Sequence, residues 1–129
     1  MSVAGIGVDV VDCARIASSI ERFGERFLRR VFTEGEIAYS QSMKFPARHF
    51  AARFAAKEAL SKAFGTGIGK SMGWRDLDVC KKESGEPYVV LSGGAEQMAK
   101  ARGIEKVWIS LSHTDTIGMA TIILERGER

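Results

Sequence analysis

The stretch PARHFAARFAAKEALSKAFG, from Pro46 to Gly65, restricts the possible folds more than any other part of the chain. Pro46 suits the first turn of a helix, where its missing N–H leaves nothing unsatisfied, and Gly65 suits the stop, where a left-handed residue closes the last turn. Good helix formers fill the interval, so one rod of roughly 28 Å is expected, at about 1.5 Å per residue. It is the longest element in the sequence. With about 100° of turn per residue, Ala52, Ala56, Ala59 and Ala63 form one narrow stripe, while Phe50, Phe54, Ser61 and Phe64 form a second. An alanine stripe lets a neighbouring backbone approach closely. Glu58 and Lys62 sit between the stripes, and Lys57 stands beside Glu58 among the alanines. A surface helix would gather such charges on one broad face, and a core helix would lack them.

The opening segment offers a surface that matches. AGIGVDVV reads as a strand whose period of two puts Ala4, Ile6, Val8 and Val10 on one face and Gly5, Gly7 and Asp9 on the other. Laying the alanine stripe over those glycines would bring Asp9 near Glu58. Two carboxylates held together repel unless a proton or a cation intervenes. Magnesium is the natural cation, because it binds through one or two carboxylates, keeps waters and takes its other ligands from substrate phosphates. Each acid alone has a simpler explanation: Glu58 as an i,i+4 partner of Lys62, and Asp9 as a strand-end carboxylate capping the next helix. Only the two together favour a metal.

The remaining signals alternate in type. A helix is expected from Asp12 or Cys13 to Phe23, with Asp12 as N-cap and Gly24 as breaker. Thr33 followed by Glu36 matches a capping box and predicts a second helix near 34–43. LDVCKKE, a turn at SGEP and YVVL predict a hairpin, GGAEQMAKARG a short helix, and KVWISLSHTDTIGMATIIL two strands joined near Thr114 to Thr116. Helices mixed with antiparallel hairpins give an α+β fold: one domain over 1–129, a mostly antiparallel sheet packed on the long central helix. A chain of 129 residues can bury a core of its own.

Other features narrow the function. No segment is apolar for long enough to span a bilayer, and MSVAGIGVDVVD reaches an acidic residue within one strand length, unlike an export leader, so a cytoplasmic protein is expected. Cys13 and Cys80 lack ligand spacing and read as core thiols. The net charge is only +3, yet RIASSIERFGERFLRR gathers Arg15, Arg22, Arg26, Arg29 and Arg30 against Glu21 and Glu25. That composition suits an acidic partner, or a solvated helix with pairs such as Glu25 and Arg29. No aromatic RNP-like motif, zinc finger or long basic run accompanies it, so nucleic acid is not expected. GTGIGK follows a helix and lacks the GxxxxGK[ST] spacing, and a glycine C-cap explains it. Strand alternation puts Ser110 and Ser112 with Trp108, and His113 with Ile109 and Leu111. Ser112 and His113 therefore point to opposite faces, and with no GxSxG elbow a Ser-His-Asp hydrolase is disfavoured. His113 on its own reads as a packed strand-end histidine.

GIGVDVVD, RFAAKEALSKAFGTGIG and SLSH, at this spacing and over nearly the whole chain, closely resemble the bacterial holo-acyl-carrier-protein synthases, the small phosphopantetheinyl transferases. The resemblance implies the phosphopantetheinyl transferase fold. It also implies transfer of 4'-phosphopantetheine from coenzyme A to a serine of apo acyl carrier protein, with release of adenosine 3',5'-bisphosphate, in support of fatty acid biosynthesis. The cofactor it implies is Mg2+, for which Mn2+ can substitute, held by Asp9 and Glu58. Lys62 is expected to bind phosphate and stabilise the leaving bisphosphate, and His113 to lie near the nucleotide or the reacting centre. Glu58 or a metal-bound water would take the serine proton. Arg48, Arg53 and Ser61, beside the central motif, join Lys62, Gly65 and His113 as expected coenzyme A contacts. Arg15, Arg22 and Arg26 are expected to meet an acidic carrier protein. A homotrimer is implied, with active sites at subunit boundaries, one subunit giving the metal ligands and its neighbour part of the coenzyme or carrier contact. Two other functions stay open on the residues alone: a binding module that has lost transfer, and a magnesium-dependent phosphohydrolase using water.

Overall fold

The computed structural model describes residues 1–127 and is organised around α4 (Pro46–Phe64), a helix of 19 residues. Pro46 lies in its first turn and Gly65 closes it in the left-handed conformation at φ 78°. Before it come β1 (Ser2–Asp12), α1 (Cys13–Phe23), α2 (Glu25–Val31) and α3 (Glu34–Gln41). After it come a short 3-10 turn at Trp74–Asp76, β2 (Leu77–Lys81), β3 (Pro87–Leu91), α5 (Gly93–Ala101), β4 (Ile104–His113) and β5 (Ile117–Arg126). An antiparallel sheet runs in the order β1, β5, β4, and β2 pairs with β3 as a separate antiparallel hairpin. This is the α+β architecture expected.

The alanine stripe and the glycine face do meet. A Cβ on Gly7 would overlap the carbonyl of Ala59, and one on Gly5 would overlap the carbonyl of Ala63. Gly118 on β5 lies against the backbone of Ala51 and Ala52 in the same way. Glycine on the strands and alanine on the helix thus let α4 cross the sheet at backbone contact distance. The opposite sheet face stays bare: Ile6, Val8 and Val10 of β1, Met119 of β5 and Trp108 of β4 are exposed, Ile6 by 65%. Phe32, Phe50, Leu60, Leu77, Ile122 and Leu124 fill the core.

The structure departs from expectation in three places. β1 is longer at both ends than AGIGVDVV. Asp12 occupies the N-cap position of α1, but its side chain makes no capping hydrogen bond. Gly24, at φ 55°, ends α1 and is followed at once by α2, which the sequence did not announce; Leu28 and Val31 bury its inner face. The arginines are therefore divided, Arg15 and Arg22 on α1 and Arg26, Arg29 and Arg30 on α2.

The capping box of α3 forms, Thr33 Oγ1 accepting from Glu36 N and Glu36 Oε1 accepting from Thr33 N at 2.9 Å. Glu36 does more than cap. It and Lys57 are both 0% exposed in side chain and lie 2.9 Å apart. Lys57 Nζ also donates to Leu77 O at 2.6 Å, and Glu36 Oε2 accepts from Val79 N at 2.7 Å. Burial pulls the Lys57 ammonium down from its ordinary pKa while Glu36 opposes the shift. One buried charge pair thus ties α3, α4 and β2 together. Among the described residues no helix is long and apolar enough to cross a membrane, and Cys13 and Cys80 are free thiols.

Candidate active site at the crossing of β1 and α4

Asp9 follows Gly7 on the face that α4 covers, so the contact that requires glycine also determines where the carboxylate lies. Its side chain is largely buried, and Glu58 of α4 is close enough for the two charges to interact. Burial, and next the charge of Asp9, push the Glu58 carboxyl up from its ordinary value of 4.5. Lys62 Nζ lies 2.9 Å from Asp9 Oδ1 and 3.2 Å from Val8 O, and the hydrogen bond to Asp9 raises the Lys62 pKa. The ammonium goes to Asp9 on another element rather than to Glu58 one turn earlier. Arg15 reaches the same region from α1: its guanidinium stands 5.5 Å from the centre of the Phe54 ring, and its charge partly offsets the shift at Glu58.

Among the described residues no third His, Cys, Asp or Glu joins the two acids to make a cage. Two carboxylates with room for water and substrate oxygens suit a small hard cation, and they do not suit a four-ligand zinc site or a calcium cage. Ser61, expected to contact phosphate, is turned inward instead: it is buried, and its hydroxyl donates to Glu58 O at 2.7 Å. Gly65 lies exposed just beyond the last turn.

His113 is not at this site. It ends β4, on the sheet edge opposite β1, and its ring is 4.9 Å from that of His49, interplanar angle 64°. His49, Ala52, Arg53, Lys81, Pro87 and His113 help line a cavity of about 180 Å³. Arg53, expected as a contact to the coenzyme phosphates, is only 2% exposed. Its guanidinium lies 4.4 Å over the Tyr39 ring, Nη1 donates to His49 O at 3.3 Å, and the buried Nε has no hydrogen-bond partner. Arg53 can meet a ligand only through this cavity. Nine helical steps of α4 lead from His49 to Glu58, roughly 13 Å along the axis at about 1.5 Å per residue, so one chain does not bring His113 to the carboxylates. Arg48 lies in the first turn of α4, beyond His49 from Glu58, its guanidinium 4.1 Å over the Phe45 ring, beside an open cavity shared with Lys44 and Asp115.

Sequence reasoning missed His49. Its one signal was the i,i+4 spacing to Arg53, which puts the two on one side of α4. Burial first, then the charges of His113, Arg53, Lys81 and Arg48, lower the His49 pKa to about 4.

Of the remaining arginines, Arg29 pairs with Glu25 at 3.0 Å and with Glu34 at 3.2 Å. Arg22 stands 5.2 Å over the exposed ring of Phe23. Arg26 lines an open cavity of about 440 Å³ between α1 and α2 with Ser19, Phe23, Phe27 and Arg30.

Known proteins resemble this chain in sequence and in fold. A sequence model described as the 4'-phosphopantetheinyl transferase superfamily matches residues 5–114. The chain is 46% identical over 123 residues to the holo-[acyl-carrier-protein] synthase of Koribacter versatilis, covering 95% of this chain and 98% of the relative. The fold is similar to the crystal structure of holo-[acyl-carrier-protein] synthase from Neisseria meningitidis, with TM-score 0.88 and 30% identity over 97% of this chain and all of that one. It is also similar to the Helicobacter pylori synthase in complex with coenzyme A, with TM-score 0.83 and 31% identity over 93% of this chain and 99% of that one.

Proposed function

The chain belongs to the 4'-phosphopantetheinyl transferase superfamily, among the holo-[acyl-carrier-protein] synthases, and from this we infer that it transfers 4'-phosphopantetheine from coenzyme A to a serine hydroxyl of apo acyl carrier protein. Adenosine 3',5'-bisphosphate leaves, and the product serves fatty acid biosynthesis. The observation that carries the chemistry is the glycine-on-alanine crossing, which sets Asp9 against Glu58 with Lys62 beside them.

Asp9 and Glu58 would hold Mg2+, or Mn2+ in its place; their mutual repulsion and the absence of further acidic ligands among the described residues suit it. When bound, the ion neutralises the diphosphate and polarises the phosphorus under attack. Lys62, exposed and on a flexible stem, swings from Asp9 to the phosphates and stabilises the leaving bisphosphate. The serine oxygen forms the new bond to phosphorus as the bond to the bisphosphate breaks. The serine proton passes to Glu58 through one water, because a carboxylate that holds a cation is a poor base by direct contact. Arg15, close to Glu58, acts at the reacting centre as well as toward the carrier, while Arg22 and Arg26 meet the acidic face of the carrier protein.

The separation of His113 and Arg53 from the carboxylates, together with the exposed apolar sheet face of Ile6, Val8, Val10, Trp108 and Met119, supports a homotrimer that buries that face. In such an assembly the cavity of one copy receives the nucleotide of coenzyme A whose diphosphate lies at Asp9 and Glu58 of the next. We place this enzyme in the cytoplasm, with its carrier-protein substrate.

The test mixes the protein with coenzyme A, magnesium and apo carrier protein and weighs the carrier. A mass gain of one phosphopantetheine supports transfer. Retained binding without a mass change would make the chain a binding module, and cleaved coenzyme beside an unmodified carrier would make it a phosphohydrolase.

A further inference from the structure

The cavity on the β4 side of α4 contains an imidazole pair that the transfer mechanism does not use. The His49 ring is edge-on to Tyr39 at 5.7 Å on one side and to His113 at 4.9 Å on the other. The groups facing it are Tyr39 from α3, Arg48 and Arg53 from α4, Lys81 from β2 and His113 from β4. No carboxylate is among them. Lys81 Nζ stands 4.9 Å over the same Tyr39 ring that Arg53 covers, and the buried Arg53 Nε has no hydrogen-bond partner in the protein. So many positive groups around one small cavity repel one another until an anion enters. Burial, and next that repulsion, lower the His49 pKa to about 4 in the free protein, and a dianion in the cavity would reverse the local field.

We propose that His49 is a further coenzyme-binding residue, which takes up a proton as a phosphate monoester dianion enters this cavity, so that ligand and proton bind together. The proposal rests on the function inferred above: coenzyme A carries one phosphate monoester, on its ribose, besides the diphosphate assigned to Asp9 and Glu58. No covalent bond changes; one solvent proton moves onto the imidazole. The sign follows from linkage. Because binding favours protonated His49, its contribution to affinity grows as pH falls from 8 and levels off near pH 4, where the free chain is protonated too. The ligand phosphate has its own proton near pH 6, with the opposite effect on affinity, and that effect is common to the wild type and any His49 variant.

The test is calorimetry of coenzyme A and of dephospho-coenzyme A binding to the whole protein, in buffers of different ionisation enthalpy, which reports protons taken up. His49→Phe keeps the ring stack, and His49→Gln keeps a donor without a titration. Wild type is expected to take up more protons with coenzyme A than either variant, and more than with dephospho-coenzyme A. The variants should bind coenzyme A about tenfold more weakly at pH 6, the size of one lost charge-assisted hydrogen bond, with a smaller loss at pH 8 and unchanged dephospho-coenzyme A affinity. Equal proton uptake by wild type and both variants, or equal uptake with the two ligands, overturns the proposal and leaves transfer intact. Failure of wild type to bind coenzyme A at all overturns the function inferred above, and this proposal with it.

Discussion

Lys57 and Glu58 are consecutive on α4 and serve different structures: Lys57 is sealed in the core against Glu36, while Glu58, a helical step of about 100° away, faces Asp9 at the crossing with β1. This explains why an alanine-rich helix carries two charges in its middle. The first is architectural, joining three elements, and the second is chemical.

The buried pair should behave as a unit. Lys57→Met alone is expected to cost about 3–5 kcal/mol of stability, because Glu36 would be left charged and unpaired in the core. The double variant Glu36→Gln, Lys57→Met should lose clearly less than the sum of the two single losses. Urea unfolding followed by circular dichroism checks this, and additive losses would contradict the coupling.

Gly7→Ala forces a Cβ into the Ala59 carbonyl, so α4 has to lift from β1. Overpacking of this kind costs about 1–3 kcal/mol, and magnesium affinity should fall with it, because the lift separates Glu58 from Asp9. Gly35→Ala, where a Cβ meets open space, is the control and should keep both stability and metal affinity. Thermal melts with and without magnesium separate the two variants.

The pH dependence of metal binding follows from Glu58. Its folded pKa lies above the ordinary 4.5, so its protonated form stabilises the metal-free fold fully below 4.5, and that stabilisation is lost as pH rises through the raised value. A cation needs the deprotonated form. Magnesium affinity should therefore climb with pH through the same window and then level off, and Glu58→Gln should flatten the climb. Magnesium titrations between about pH 5 and 8 measure it.

Charge reversal at Arg22, Arg22→Glu, should weaken carrier-protein binding, increasingly so as salt is lowered, because exposed charges are screened within about 8–10 Å at physiological ionic strength. Coenzyme A affinity should not change. Binding of each ligand measured at two salt concentrations decides the matter, and equal losses would require another role for this arginine.

Much of this arrangement is legible in the sequence, because two local periods coincide. Gly5, Gly7 and Asp9 alternate on a strand, Ala52 to Ala63 recur on a helix, and each pattern makes sense only against the other; the structure brings them together. Thr33 and Glu36 announced their helix start correctly. The second role of Glu36 was hidden, since its partner Lys57 lies 21 residues away and nothing local marks a glutamate as buried. Ser61 shares its stripe with Phe50, Phe54 and Phe64, and it is buried as they are, so its own periodicity already opposed a phosphate contact. α2 escaped notice because Gly24 reads as a stop and not as a hinge between helices. The pairing of His113 with His49 depends on how the β4 edge meets the start of α4, which no local pattern encodes.

The central claim is that Asp9 and Glu58 share one divalent ion, and direct binding of Mn2+ followed by electron paramagnetic resonance tests it most closely. Wild type should bind one ion per chain, more tightly with coenzyme A present. Asp9→Asn and Glu58→Gln should each keep the fold by circular dichroism yet lose at least tenfold in affinity, with carrier modification falling in step. Unchanged Mn2+ affinity in a folded Glu58→Gln protein that still modifies its carrier would remove the shared ion from the account.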